Sequence, residues 1–540
     1  MRSAQHRHPG PKLLEFIRER ARPRRHGPTL LMALIALVHL ATLTNGPGPD
    51  FGDDWALYVL HARNLLEGRP YGDTGYLYNP LNPWYSPPTY PLGFPLLLAP
   101  VFAAFGLDFL AMKVVVAASF AGILLLVARF ARRDLAPVAV GTTIAVVGLH
   151  PYLWRFRQNL LPDLPFTFFC LAAVLLIDRS ADPDLPPGRR VPWTLAAAAA
   201  VLAAVATRTI GLVLVPTWAV VLLLRARRPR GVLLVGAVLA GLALGAQFLL
   251  VPPGAGYYQQ IRDLAAAYGS SLFLPGADRV RRMAYALASL WAGDGAAVGL
   301  RLATAKALAV TTAVLAAIGL FARIRRPSAP EVFFLAYFAA AFLWPATIAR
   351  YLVPILPLYV VYAVLGASRA ARDAGRAGRA GVAVVAAVVA AQTVVGLSDV
   401  HRHPSWVGTA SGDAADLYRY VRSHTGPEDR FIASRPRALA LFAGRSAAPP
   451  PRRADDSTSL AYLARGGMDY VVVRTGQDDA RALVERNPAS FRPVYANPGF
   501  ALFRIAATPH ADSAHPAGCG AGEAQVRPCS DRSIMTPQSR

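Results

Sequence analysis

Two adjacent carboxylates head the stretch "GDDWALYVLHARNLLEG", residues 52–68. Asp53 and Asp54 come just after the first apolar run of the chain, where an ionised acid is costly unless it is paired or used. A third acid, Asp163 in "NLLPDLPFTFF", and two isolated arginines, Arg208 in "VATRTIGL" and Arg350 in "IARYLVPILPLY", also interrupt or begin apolar runs. Together these residue types can do transfer chemistry at a phosphate leaving group. A carboxylate takes the proton of an acceptor hydroxyl, and guanidinium forks hold the charge that develops on phosphate oxygens. Each residue also has a plainer use. Asp is a favoured helix N-cap and suits the positive end of a helix dipole, and a lone Arg can pair with a carboxylate or a helix carbonyl.

The segment after the acid pair, "YGDTGYLYNPLNPWYSPPTYPLGFP" (71–95), is crowded with Tyr, Trp and Pro. Its backbone freedom is restricted and its rings offer stacking surface. An aromatic belt at a membrane interface is the ordinary explanation; beside two carboxylates, Tyr58, Tyr85, Pro87, Pro88 and Tyr90 also form a candidate substrate loop for a carbohydrate or lipid-linked ligand. His150, Arg155 and Arg157 in "HPYLWRFRQN" read as interfacial or solvated groups. No Cys/His set has metal-ligand spacing, so no cofactor is assigned and divalent metal use stays open. Of the three cysteines, Cys170 lies in an apolar run, and Cys519 and Cys529 lie in a polar tail.

These residues must be positioned by membrane helices. The 540-residue chain is 54% hydrophobic and 16% charged, against about 25% charged in soluble domains. Apolar runs fall at 29–45, 91–105, 108–128, 136–150, 160–178, 192–207, 209–224, 231–251, 300–321, 331–348, 351–367 and 380–397. The formal charge of +24 does not mark a nucleic-acid binder. All but three of its basic residues are arginines, gathered in short clusters between apolar runs, as the positive-inside rule requires, and not on one stripe. The basic residues before the first run place the N-terminus (1–28) in the cytoplasm. If 91–105, with prolines at 91, 95 and 100, does not cross, every basic cluster falls on the cytoplasmic side. This threading has eleven spans within 29–398. It leaves 46–107 as one external loop, sets the run after Asp54 as an amphipathic helix in the interface, and puts the C-terminus outside.

Beyond about residue 399 the pattern changes. "DAADLYRYVRSH" and "SLAYLARGG" have helical spacing, "DRFIASRP" and "DYVVVRTG" read as strands, and "FRPVYANPGFALFRI" reads as two strands around an Asn-Pro-Gly turn. A small extracytoplasmic α/β domain is expected over 399–507, followed by a disordered tail at 508–540.

In their order and placement, "DDWALYVLHARNLLEG", "SPPTYPLG", "LPDLPF", "TRTIGL" and "ARYLVPILP" resemble the GT-C type glycosyltransferases of bacterial envelopes. The likeness is nearest to the RgtA/B/C/D-like sugar transferases, related to aminoarabinose transferases and protein O-mannosyltransferases. It covers most of 29–506. The resemblance implies a membrane enzyme of the cytoplasmic membrane that moves a sugar from a polyprenyl-phosphate donor to an envelope acceptor (lipid, polysaccharide or protein) on the outer side, with inversion by direct displacement. Family sequences often carry Asp-Glu in the first loop with Tyr four residues after the Asp. Counting back from Tyr58 selects Asp54, with Trp55 where Glu is common; aligning the pair directly would make Asp53 the first acid. The resemblance thus gives Asp54, then Asp53, as base or acceptor-positioning group and Asp163 as a second acid. Charge and placement, more than the family pattern, suit Arg208, Arg350 and Tyr351 to the donor phosphate. A lipid or sugar transporter or flippase is the rival reading, although no internal repeat is visible and the charges gather at one face.

Overall fold

The computed structural model describes residues 27–46, 52–225, 241, 245, 256–269, 276–292, 299–325, 327–344, 349–402, 411–452, 454–476 and 479–506. Most of the basic N-terminus, nearly all of the run at 231–251 and the tail with Cys519 and Cys529 lie outside these residues.

Up to Arg402 every regular element described is a helix. Four helices are long and apolar enough to cross a membrane: Phe109–Ala131, Gly188–Thr207, Leu300–Ile324 and Gly375–Val400. Shorter apolar helices stand among them, including Gly27–Ala41, Pro137–Gly148 and Ala329–Leu343. Leu125, Val310, Phe321 and Val394 are exposed on these helices, an outward apolar surface that suits lipid better than water. The chain is a multi-pass membrane protein. Small residues let its helices meet closely. Gly319 of Leu300–Ile324 faces the Tyr362 carbonyl, and Gly366 of Leu356–Asp373 faces the Leu315 carbonyl, both without room for a Cβ. A Cβ on Gly93 would lie 2.7 Å from the Ala206 carbonyl carbon.

The helix Asp54–Glu67 follows the acid pair at once and ends at Gly68, whose φ of 65° suits glycine. Asn64 then fixes the turn by donating to the carbonyl of Asp73 at 2.6 Å and of Pro70 at 3.2 Å. This helix does not lie on a surface as an amphipathic interfacial helix would. Every residue from Trp55 to Ala62 is buried, because the C-terminal unit covers the face that the sequence leaves open. The segment 91–105 does form a helix, Gly93–Phe105, since Pro95 sits near its start and only Pro100 is internal. Its 13 residues span about 20 Å, short of a hydrocarbon core of about 30 Å.

The C-terminal unit holds a five-stranded sheet in the order β2-β1-β3-β5-β4. The strands are β1 (Arg430–Ile432), β2 (Ser446–Ala448), β3 (Tyr470–Arg474), β4 (Phe491–Ala496) and β5 (Phe500–Ile505). β1 pairs in parallel with β2 and β3, and β5 runs antiparallel to β3 and β4. β3 is buried through Val473, as a continuous apolar run predicts. Helices Gly412–His424, Pro436–Ala443, Asp456–Arg465 and Asp479–Arg486 accompany the sheet. The first loop adds itself to the free edge at β2: Leu77 N donates to the Ala447 carbonyl and Ala447 N to the Gly75 carbonyl, both at 2.8 Å. Asn79 and Asn82 extend the seam by donating to the carbonyls of Pro449 and Pro450 at 2.8 and 2.9 Å. The edge strand is thus covered by the chain's own loop, and the loop is held by backbone pairing.

Candidate active site

Asp53 stands at the N-cap position of Asp54–Glu67, yet its side chain makes no cap bond there. It caps another helix instead. One carboxylate oxygen accepts the backbone N–H of Arg437 at 2.8 Å and of Ala438 at 3.1 Å, in the first turn of Pro436–Ala443. The other accepts Arg437 Nε at 3.0 Å and the Tyr85 hydroxyl. The Asp53 side chain is fully buried. Its four donors account for the burial of its charge.

Asp54 opens the same helix and differs in one respect: its side chain keeps 18% exposure, against 0% for Asp53 and Asp163. Its Oδ1 accepts Arg437 Nη1 at 2.9 Å and the Tyr90 hydroxyl at 3.0 Å, and its Oδ2 accepts Arg350 Nη1 at 3.0 Å. Burial raises the pKa of this carboxyl, but the Arg437 and Arg350 guanidiniums outweigh it and hold Asp54 below the usual carboxylate range. It is therefore an anion at neutral pH.

Asp163 sits in the first turn of Asp163–Ser180. Arg350 reaches both of its oxygens, with Nε at 3.1 and 3.2 Å and Nη2 at 3.0 Å. Arg208 pairs with Oδ1 of the same carboxylate. Arg350 thereby bridges Asp54 and Asp163 from the short turn Ala349–Leu352. Arg208 breaks the helix Pro187–Thr207 with an extended backbone, and its guanidinium lies 5.8 Å from the Tyr351 ring and 5.9 Å from the Phe166 ring. The acids and arginines singled out from the sequence, 296 positions apart for Asp54 and Arg350, thus converge. The plain alternative of arginine–carboxylate pairing is realised for both arginines.

The aromatic residues form the wall. Tyr58, one helical turn after Asp54, stacks on Tyr90 at 4.7 Å and meets Phe94 edge-on at 5.2 Å. Burial pushes the phenols of Tyr58, Tyr85 and Tyr90 well up, so Tyr85 and Tyr90 remain hydrogen-bond donors to the two acids. Pro87 is buried and Pro88 half-buried; they shape the backbone between Ser86 and Tyr90 with no bond to the acids among those described. His61 anchors the far side: one ring nitrogen bonds the Tyr71 carbonyl at 2.8 Å, the other accepts the Tyr90 N–H at 3.3 Å, and its ring stacks on Tyr71 at 4.1 Å.

Four positions carry more than the sequence indicates. Arg437 is 2% exposed and is a centre of the cluster, but it is one of many arginines and follows the proline that starts a short apolar helix; its pattern holds no functional signal. Tyr257 brings the start of Tyr257–Tyr268 to within 6.4 Å of the Tyr90 ring, and burial pushes its phenol up to about 12. Arg157 is not solvated. It is buried, donates to the His39 carbonyl at 2.5 Å and to Thr42 Oγ1 at 2.6 Å, and lies 4.2 Å from the Trp154 ring. His150 is likewise buried, 5.3 Å from the Trp291 ring. Among the described residues no three His, Cys, Asp or Glu side chains converge as a metal-ligand set. The carboxylates that do converge are paired with guanidiniums.

No family model matches the chain, and no curated protein matches it. Solved structures do. ArnT from Cupriavidus metallidurans bound to undecaprenyl phosphate superposes with a TM-score of 0.57 at 15% identity, covering 89% of this chain and 99% of that one. The chain has the GT-C fold. The archaeal oligosaccharyltransferase AglB from Archaeoglobus fulgidus, in complex with an inhibitory peptide and a dolichol-phosphate, superposes with a TM-score of 0.53 at 13% identity, covering 84% and 70%.

Proposed function

We propose that this GT-C chain transfers a sugar from a polyprenyl-phosphate donor to an acceptor hydroxyl of the cell envelope on the outer side of the cytoplasmic membrane. The observation that carries the proposal is the single partly open carboxylate, Asp54, facing Arg350 and backed by buried acids that are wholly committed to other partners. In the step proposed, the acceptor oxygen attacks the anomeric carbon and the bond from that carbon to the phosphate oxygen breaks. Asp54 takes the acceptor proton, and the bonding pair leaves with the polyprenyl phosphate. Direct displacement of this kind inverts the anomeric centre. Arg350 and Arg208 stabilise the departing phosphate. Asp163 pairs with both arginines before the donor arrives, and Tyr351 flanks Arg208. Tyr58, Tyr85 and Tyr90 line the approach. Undecaprenyl phosphate in ArnT and dolichol-phosphate in AglB support a lipid-phosphate donor for the same fold.

The topology that goes with this reading has eleven spans over 29–398, the N-terminus inside, and the acids, aromatic loop and 399–507 outside. A reporter fused after residue 134 then reports a cytoplasmic position; an external one overturns the threading. The activity is tested with purified protein in proteoliposomes, a radiolabelled undecaprenyl-phosphate sugar and an envelope extract. Label moves to the extract with the wild-type chain, and Asp54→Asn abolishes the transfer while the protein stays folded. Equal transfer by Asp54→Asn and Asp53→Asn refutes the base assignment, and movement of the lipid across the bilayer without transfer marks a flippase.

A further inference from the structure

Arg437 belongs to the C-terminal unit, yet all its charged contacts are with the first loop and its helix. Its Nη1 meets Asp54 Oδ1 at 2.9 Å, the Tyr90 hydroxyl at 2.8 Å and Ser86 Oγ at 3.1 Å. Its Nε and backbone N–H are both held by Asp53, and its guanidinium lies 4.5 Å from the Tyr85 ring. With these anchors and 2% exposure, Arg437 cannot swing toward a substrate. Arg350, on the other face of Asp54, is 13% exposed and sits on a four-residue turn.

The two arginines therefore divide the carboxylate. We propose that Arg437 is a positioning residue for Asp54: it fixes Oδ1 through the docked C-terminal unit, and leaves Oδ2 to be released to the acceptor hydroxyl when a donor phosphate draws Arg350 away. This rests on the reading of Asp54 as the base. Phosphate competes with a carboxylate for the same guanidinium fork, so donor arrival and exposure of the basic lone pair become one event. The C-terminal unit is then a component of the catalytic centre, and undocking it removes the partner that keeps Asp54 ionised and aimed. Among the described residues, the charged and titratable groups facing Asp54 are Arg437 from Pro436–Ala443, Arg350 from Ala349–Leu352, Tyr76 and Tyr90 from the loop, Tyr58 from its own helix and Tyr257 from Tyr257–Tyr268.

The test uses the full chain in proteoliposomes, with the radiolabelled undecaprenyl-phosphate sugar that the wild type turns over, and compares Arg437→Met and Arg437→Lys across pH. An opposite charge at this range lowers a carboxyl pKa by about 1–3 units. Arg437→Met is therefore expected to lower kcat at acidic pH, move the acid limb of its profile up by about that amount, and change the KM for the lipid-linked donor less than about threefold. Arg437→Lys should return the limb most of the way. Where the methionine variant does not fold, Arg437→Gln keeps a polar hydrogen-bond donor without the charge and carries the same comparison. A tenfold higher donor KM with an unmoved limb overturns the proposal in favour of direct phosphate binding by Arg437. Equal losses in the Met and Lys variants with an unmoved limb overturn it in favour of a merely structural role. Asp54→Asn separates the two readings: wild-type transfer by that variant removes the base itself, whereas an unmoved limb in Arg437→Met removes only the positioning role.

Discussion

Asp53→Asn should open the seam between the C-terminal unit and the first loop. The wild-type carboxylate is buried and accepts from the N–H groups of Arg437 and Ala438, from Arg437 Nε and from the Tyr85 hydroxyl. An amide keeps the shape but turns one acceptor oxygen into a donor, so either the helix N–H pair or the guanidinium and phenol face another donor. Removing one partner of a buried ion pair costs about 3–5 kcal/mol, because the remaining charge stays buried; the individual charge-assisted bonds, at about 1.5–3 kcal/mol each, overlap with that figure and are not added to it. At about 1.4 kcal/mol per factor of ten, the opening equilibrium rises between about 100-fold and a few thousand-fold. Hydrogen exchange on the full protein in nanodiscs reads this directly at the Arg437 and Ala438 amides, since exchange through a rapidly reclosing state tracks the opening free energy. Asp54→Asn is the control: Asp54 touches Arg437 only at Nη1, so its effect on those two amides is smaller. Unchanged exchange in Asp53→Asn, or equal opening in both variants, refutes the docking role.

Three further outcomes follow from the geometry. Burial holds His61 down at about 4 against about 6.5 unfolded. The folded state then binds fewer protons, and the stability of the neutral ring is full above pH 6.5 and lost as pH falls toward 4. About 2.5 units at 1.36 kcal/mol each is about 3 kcal/mol, so the wild type's stability advantage over His61→Gln should shrink by about that much between pH 7 and pH 4, and a constant difference refutes it. Arg350→Lys should lose transfer by about 100- to 1000-fold, as loss of one charge-stabilising donor does, because an ammonium cannot present the planar fork of a guanidinium to the departing phosphate; full activity in the lysine variant refutes the phosphate-stabilising role. Gly319→Leu forces Leu300–Ile324 away from Tyr362 and should lower the thermal midpoint of the solubilised protein by several degrees, whereas Val310→Ala, on the exposed face of the same helix, should leave it unchanged; equal midpoints for the two variants refute the close-packing role of the glycine.

The sequence alone determined the apolar runs and the chemical character of the interruptions in them. An unpaired charge in an apolar run is so costly that Asp54, Asp163, Arg208 and Arg350 stand out by type and place, and all four meet in the structure. Local pattern likewise carried the buried strand β3, the helix ending at Gly466 and the Asn-Pro-Gly turn between β4 and β5, because each depends on neighbours within a few residues. What each acid does was decided only by tertiary structure. Asp53 and Asp54 are adjacent and alike, but the start of a helix points their side chains in different directions, one onto the first turn of Pro436–Ala443 and the other between Arg437 and Arg350. Arg437 lies 383 positions from Asp54 and has no local feature to distinguish it from other arginines. Its role comes from the backbone seam of Leu77 with Ala447, a pairing of two distant segments that no spacing along the chain encodes.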